Sequence, residues 1–511
     1  MLGEPLSVYA TIDDARNPAT FVVRKQSLSL SSSAALAAFV LLASAFILRG
    51  GLFGNAITGL DEQFYLLVGD RMWSGNLPYV DIWDRKPLGL FVLFAAIAAL
   101  PGNGVLAGQI VATLFAASTA FGVARPARRS CSWASSTMAG IFYIAALNEL
   151  WDGTTQASVF YNLFVVAAAL LTLHASTSPL KRFYSAVGAT LLLGMAIQIK
   201  TNAAFQAVFF GGVLACALWR ADRRSAPVRI LLLALIGSIP TLCVMAFYFC
   251  IGEFGSRWQA NVLSVLAKGR PTDQFATQTF VETEVLFAPV LILMLIGLHR
   301  RTVRFTKFDG DARFFCGWMV LALADFIAIG GYFPHYAAPL LLACCPLIAS
   351  AFAIKRWGAW IFALSMAWPL AHSLYVNRWM TEREQAIAAE VLGALPVDVR
   401  TRCLFMYEGP PIYYHLSKAC FVTRFVFTAH LGSQREAPSL GVNPADELRA
   451  ALARRPGTVI TVARSQWSDR NPSQERVLMQ ELRSNYHVAK LLPYRPAKDH
   501  GELVLWRLNG L

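Results

Sequence analysis

The sequence is poor in charge: 15% of its 511 residues are Asp, Glu, Lys or Arg, where a soluble chain carries about a quarter. With 56% hydrophobic residues and a mean hydropathy of +0.47, this excludes a single soluble globular domain. A polytopic α-helical membrane protein with a soluble appendage fits instead. The nine cysteines include no CxxC pair and no Cys/His metal spacing, which excludes a zinc-ribbon type of framework. The tail has no glycine-rich phosphate loop and no nucleophile triad pattern, and the chain has no internal repeat and no low-complexity tract. The net charge of +14 does not argue for nucleic acid, because the cations cluster in short loops between apolar runs, as in cytoplasmic loops facing anionic lipid.

What is present is a series of apolar runs of roughly membrane-spanning length. Spans are predicted at Leu30–Arg49, Val105–Ala124, Ser132–Leu147, Val159–Leu173, Tyr184–Ile199, Ala203–Trp219, Ile230–Ile251, Val285–Leu298, Phe315–Tyr332, Tyr336–Ile354 and Trp357–His372. The first reads as a retained signal anchor behind a leader containing Arg24 and Lys25. Pro87–Leu100 is apolar but short. If it does not cross, the basic loops with Arg125/Arg128/Arg129, Lys181/Arg182, Arg220/Arg223/Arg224/Arg229, His299–Arg313 and Lys355/Arg356 share one side with the N-terminal cations. By the positive-inside rule that side is the cytoplasm. The expected fold is therefore about 11 spans, with re-entrant or interfacial helices in the first outer loop. The expected domains are a cytoplasmic leader (1–29), a transmembrane catalytic domain (30–373) and a small extracytoplasmic α/β domain (374–511). In the tail, strands are predicted at Cys403–Tyr407, Thr458–Val462, His487–Leu492 and Leu503–Leu508, and helices at Glu382–Leu395, Ala445–Ala453 and Gln474–Arg483. Cys403 and Cys420 could pair there if the tail is outside, though sequence does not show their distance. Most others, such as Cys344 and Cys345, read as small core residues.

The predicted outer loops hold the chemistry. Asp61-Glu62 opens a short helix with Phe64, Leu67 and Val68 on one face. An N-cap aspartate and a first-turn glutamate would serve helix initiation alone. A carboxylate pair at a membrane face also suits a general base and a partner that orients the acceptor or holds a divalent metal. Arg85-Lys86-Pro87 reads as a helix start with a snorkelling lysine, or as a cation pair for a phosphate leaving group. Glu149-Leu150-Trp151-Asp152 is a solvated loop with an interfacial Trp, or a third acid facing the first loop. Lys200, within Gln198-Ile199-Lys200-Thr201-Asn202, is a second phosphate candidate, and His335-Tyr336 would bond a lipid phosphate or a sugar. Gly252–Glu284, with Trp258, Lys268 and Arg270, is a lid or a plain connector.

Together these motifs resemble the GT-C superfamily of integral-membrane glycosyltransferases, and among them the bacterial relatives of protein O-mannosyltransferases and of the lipid A aminoarabinose transferase. Asp61-Glu62 matches that family's acidic pair, Gly75-Asn76-Leu77-Pro78-Tyr79 its Gly-x-x-Pro-Tyr stretch, and Lys86-Pro87-Leu88 its Lys-Pro-Pro motif with the second Pro missing. Glu149 or Asp152 stands for its second-loop acid and His335-Tyr336 for its late His-Tyr. The resemblance implies a polyprenyl-phosphate-linked sugar donor, and a lipid, glycan or protein acceptor at the outer face of a bacterial inner membrane. It places Asp61 as base with Glu62 beside it, and Tyr79, Arg85, Lys86 and Lys200 around the donor. Some relatives use a divalent metal, which hard acids such as these could hold, and no other cofactor is implied. A lipid-linked sugar flippase would place charge inside spans, where only Asp325 is seen. A polysaccharide ligase would favour outer Arg and His over the acid pair, and a non-catalytic assembly factor would bind a partner through its tail.

Overall fold

The computed structural model describes residues 32–177, 182–305, 310–463, 469–494 and 501–510. The leader with Arg24 and Lys25, the first two residues of the first predicted span, Lys181 and part of the His299–Arg313 loop lie outside these. In chain order the helices are α1 (Ser32–Arg49), α2 (Leu60–Met72), α3 (Leu88–Ala98), α4 (Val105–Ala127), α5 (Trp133–Leu147), α6 (Ala157–Thr177), α7 (Arg182–Ile197), α8 (Ala203–Ala221), α9 (Ala226–Cys250), α10 (Phe254–Trp258), α11 (Ser264–Ala267), α12 (Asp273–Phe305), α13 (Gly310–Ile329), α14 (Ala338–Phe352) and α15 (Gly358–Ala371). Among the described residues, nine helices are long and apolar enough to cross a bilayer. The α5 and α7 helices, 15 and 16 residues long, are shorter. These eleven correspond one to one with the predicted spans. Helix α12 begins earlier than its predicted span, at Asp273, and so shortens the loop before it.

Helix burial follows composition. The Ala-, Cys- and Leu-rich α14 is buried along its whole length and forms the centre of the bundle. Helix α9 turns Leu231, Leu235, Ile239, Leu242 and Phe249 outward, as a lipid-facing helix does. Helices α2 and α3 fall between α1 and α4 on the loop-rich face, and the 11-residue α3 is too short to span. They touch backbone to backbone: a Cβ on Gly69 would collide with the main chain of Phe94 and Ala95. Trp73 Nε1 also donates to the Ala95 carbonyl at 2.8 Å. Helix α3 is tied to the α7–α8 turn, since Leu90 N donates to Gln198 O at 3.0 Å and Gly89 has no room for a side chain there.

Past α15 the chain runs through a π-helical turn into α16 (Asn377–Ala394) and then into α17 (Ile412–Leu416), α18 (Pro444–Ala453) and α19 (Pro472–Asn485). Strands β1 (Leu404–Met406), β2 (Thr458–Val462), β3 (Tyr486–Pro493) and β4 (Glu502–Leu508) form one sheet in the order β1-β2-β4-β3. β1 and β2 are parallel and the other pairs antiparallel. All residues of β1 and β2 are buried, as their unbroken apolar character predicts. Cys403 and Cys420 are joined in a disulfide. Asp325, predicted near the middle of a span, lies instead one turn from the end of α13, where Asn202 Nδ2 donates to its Oδ1 at 3.0 Å. It therefore belongs to the loop-rich face and is no mid-span charge.

Candidate functional site

The first turn of α2 carries both acids. Its N-cap is Gly59, so Asp61 sits one position inside the helix and does not cap it. Both carboxylates lie where unpaired backbone N–H groups favour negative charge. They then diverge. Asp61 Oδ2 is 3.4 Å from Lys86 Nζ and its side chain remains 32% exposed. Glu62 is buried and folds back over Gly59, where a Cβ would strike its carboxylate. Its Oε1 accepts from Thr154 Oγ1 at 2.6 Å. Behind it lies a cavity of about 30 Å³ bounded by Thr58, Gln63, Gln109 and Thr154, water-sized rather than substrate-sized.

Lys86 is held from several sides. Its Nζ donates to Tyr65 Oη at 2.7 Å and lies 5.0 Å from that ring's centroid. Its N–H donates to Asp84 Oδ1 at 2.7 Å, and its carbonyl accepts from Tyr79 Oη at 2.8 Å. Tyr79 is fully buried, packed on Phe91 and Tyr248, with φ +72. A left-handed tyrosine is strained, and such strain concentrates where a backbone is being aimed. Tyr79 thus positions Lys86 rather than presenting a free hydroxyl. Pro87 is the N-cap of α3, not its first residue, so Lys86 stands just outside the helix.

Lys200, in the turn that α3 is tied to, stacks over the Tyr336 ring at 4.6 Å. His335 packs edge-on against the same ring at 4.4 Å. Asp152 is fully buried, and Ser158 Oγ donates to its Oδ1 at 2.6 Å. Its Oδ2 has no hydrogen-bond partner among the described residues. Of the two second-loop acids, Asp152 faces this cluster. Glu149 is committed elsewhere, 2.8 Å from His372 Nδ1 and 3.1 Å from Trp368 Nε1. Arg85 is likewise engaged: its fork meets Glu436 of the tail, and Nη2 donates to Ser439 at 3.0 Å. The segment after α9 is neither open lid nor free connector. Lys268 Nζ also reaches Glu436, at 2.9 Å, and Gly269 N donates to Arg435 O at 3.0 Å.

The electrostatics separate the two acids. Burial acts to raise the Asp61 pKa, but Lys86 foremost, with Lys200 adding, pulls it down to about 2. Burial and then the Asp61 charge push Glu62 up to about 7 although the Thr154 hydroxyl opposes them. Burial raises Asp152. It lowers Lys200, with Lys86 adding to the fall. For Lys86 burial alone would lower the pKa, but Asp61 and Asp84 hold it above its usual value. The arrangement is an ionised carboxylate at the opening, two ammonium groups beside it, and two acids of weakened acidity behind.

Several residues that complete the site were not anticipated from the sequence. Arg49, buried at the end of α1, donates to Asn148 Oδ1 at 3.0 Å, Asp152 O at 2.9 Å and Thr154 O at 2.6 Å, and so aims the second loop at Glu62. A lone cation at the loop-rich end of an apolar run was its signal. Tyr65, Asp84 and Thr154 carried none. Asp61 and Glu62 point to different partners, and among the described residues no three His, Cys, Asp or Glu side chains converge on one point.

No protein-family model matches the sequence, and no curated protein matches it. Solved structures do. ArnT from Cupriavidus metallidurans bound to undecaprenyl phosphate aligns with a TM-score of 0.57 at 14% identity, over 94% of this chain and 99% of that one. The apo state of the same protein aligns with 0.58 at 15% identity, over 93% and 98%. The likeness takes in the tail as well as the helical bundle. This chain therefore has the fold of ArnT, in line with the fold expected from the resemblance of its Asp61–Leu88 motifs.

Proposed function

We propose that the chain is a glycosyltransferase that moves a sugar from a polyprenyl-phosphate donor to an acceptor hydroxyl at the outer face of a bacterial inner membrane. The observation that carries this reading is the pairing of Asp61 with Lys86 at 3.4 Å at the mouth of the site. It sets a carboxylate able to act as a base beside a cation able to receive a lipid phosphate. The fold shared with a protein solved in complex with undecaprenyl phosphate supports that class of donor. The disulfide in the tail supports an oxidising compartment for residues 374–511. The leader (1–29) is then cytoplasmic, and residues 30–373 form the catalytic bundle.

In this reading the Asp61 carboxylate takes the proton of the acceptor hydroxyl as that oxygen attacks the anomeric carbon from the face opposite the phosphate. The bond from that carbon to the phosphate oxygen breaks, its electron pair stays on the departing polyprenyl phosphate, and the configuration inverts. Lys86 and Lys200 stabilise the charge gathering on the phosphate. Donor binding also prepares the base. A phosphate that draws Lys86 toward itself weakens the ion pair that holds Asp61 near pKa 2, and a carboxylate released from its cation is a stronger base. Glu62 and Asp152, both of raised pKa, limit the negative charge behind the site. Tyr79 fixes the Lys86 main chain, and His335 and Tyr336 line the approach to Lys200.

Asp61→Asn keeps the side chain's shape and removes the base. In proteoliposomes with a panel of radiolabelled undecaprenyl-phosphate sugars, transfer should fall by about 10²-fold or more, while binding of undecaprenyl phosphate persists. Turnover equal to wild type would remove Asp61 as the base.

A further inference from the structure

A second cavity, of about 390 Å³, opens at the opposite end of the bundle between the ends of α4 and α6 and the start of α5. Gly108 of α4 borders the space behind Glu62 and Arg125 of the same helix borders this one. The intervening turns rise about 26 Å at 1.5 Å per residue, so the two sites belong to opposite membrane faces. The rim carries Arg125, Arg128 and Arg129, and the wall is Pro126, Trp133, Leu170 and Leu173, with His174 the one other polar side chain of the lining. Arg129 is neutralised by Asp311 at 3.1 Å. Arg125 and Arg128 have no carboxylate partner among the described residues. Each lies over an aromatic ring, Arg125 5.8 Å from Phe121 and Arg128 6.0 Å from Trp133. Arg128 spends one N–H on the Cys131 carbonyl at 2.9 Å. Stacking fixes the plane of a guanidinium and leaves N–H groups on its edge free for an anion.

Two stacked cations without a carboxylate partner among the described residues, over a wall that is apolar apart from His174, match an amphiphile that carries a phosphate. The volume falls within the usual range for a ligand site. We propose that this cavity binds the headgroup phosphate of an anionic glycerophospholipid from the cytoplasmic leaflet, on Arg125 and Arg128, with an acyl chain against Leu170 and Leu173. Basic pockets between membrane helices bind such headgroups. This site is independent of the transferase reading and stands or falls separately.

The test is native mass spectrometry of the full chain in detergent micelles, titrated with phosphatidylglycerol, with phosphatidylcholine, and with phosphatidylglycerol in the presence of millimolar inorganic phosphate. Phosphatidylglycerol should be retained over phosphatidylcholine. Arg125→Gln/Arg128→Gln should weaken that binding by about tenfold or more. Arg220→Gln/Arg223→Gln, an exposed pair on the same face, should leave it within about twofold, as expected of a site rather than of a general field. Leu170→Trp, which fills the cavity without touching a charge, should also abolish the preference. Equal losses from the two arginine pairs, equal retention of the two lipids, or full displacement by inorganic phosphate would overturn the proposal, the last because the ligand would then be free phosphate.

Discussion

Replacing Lys86 by Met removes the cation beside the carboxylate while keeping a flexible side chain of similar length. Two unit charges at the observed 3.4 Å attract by ~5 kcal/mol at an effective dielectric of 20 and ~1 kcal/mol in bulk water. Lys86 and Asp61 keep 23% and 32% of their side chains exposed, so screening brings the effective value toward ~1–2 kcal/mol. That corresponds to about one pKa unit. Asp61, held at about 2, would move toward its ordinary 3.8 and stay ionised at neutral pH. Any loss measured at pH 7 then reports on the phosphate contact and not on protonation of the base. A charge-assisted hydrogen bond to phosphate is worth ~1.5–3 kcal/mol, so kcat/KM for the donor should fall about 10- to 150-fold, with the acceptor KM within about twofold. The assay is initial-rate transfer in proteoliposomes with donor and acceptor varied separately, alongside direct binding of undecaprenyl phosphate. Lys86→Arg should recover part of the donor affinity, since it restores charge without the same reach. An unchanged donor kcat/KM in Lys86→Met, with protein that inserts normally, would refute the phosphate role.

Glu62 gives a pH prediction. Its folded pKa is raised from 4.5 to about 7, so the folded state holds the proton more tightly than the unfolded chain. The resulting stabilisation is full below about 4.5 and is lost as pH rises through about 7, a change of up to ~3 kcal/mol. The apparent Tm in detergent should therefore drop between about pH 5 and pH 8, and Glu62→Gln should flatten that slope; parallel slopes would count against a buried, perturbed glutamate. In the tail, Cys403→Ala/Cys420→Ala opens a loop of sequence separation 17 and should destabilise that region by ~3 kcal/mol. This would be read as faster limited proteolysis after residue 374 with the helical bundle intact. Unchanged proteolysis would show the bridge to be dispensable.

The bundle was legible because a bilayer imposes a length and a polarity on each crossing. The eleven predicted spans match helices one to one, and the basic loops confined Pro87–Leu100 to one face, where α3 lies. The tail strands were legible as short apolar runs between turn residues. The site was legible only in part. Asp61, Lys86, Lys200 and Tyr336 were visible as polar groups at one membrane depth, and the structure brings them together. Glu149 and Asp152 were indistinguishable three residues apart, because nothing local shows that Arg49 anchors the loop between them. Arg85 looked as free as Lys86, because its partner Glu436 lies 351 residues away.

Composition and periodicity by themselves marked which long apolar segments are helical and in which connecting loops acids and cations gather, since each of these depends on one segment and its solvent. Direction was left to the tertiary structure. Whether Asp61 turns to Lys86 and Glu62 to Thr154, whether Tyr79 presents its hydroxyl or spends it on a carbonyl, and which arginine is already paired depend on contacts between segments tens to hundreds of residues apart. Such contacts follow from packing the whole chain at once, because a buried polar group takes whichever partner the neighbouring segment supplies.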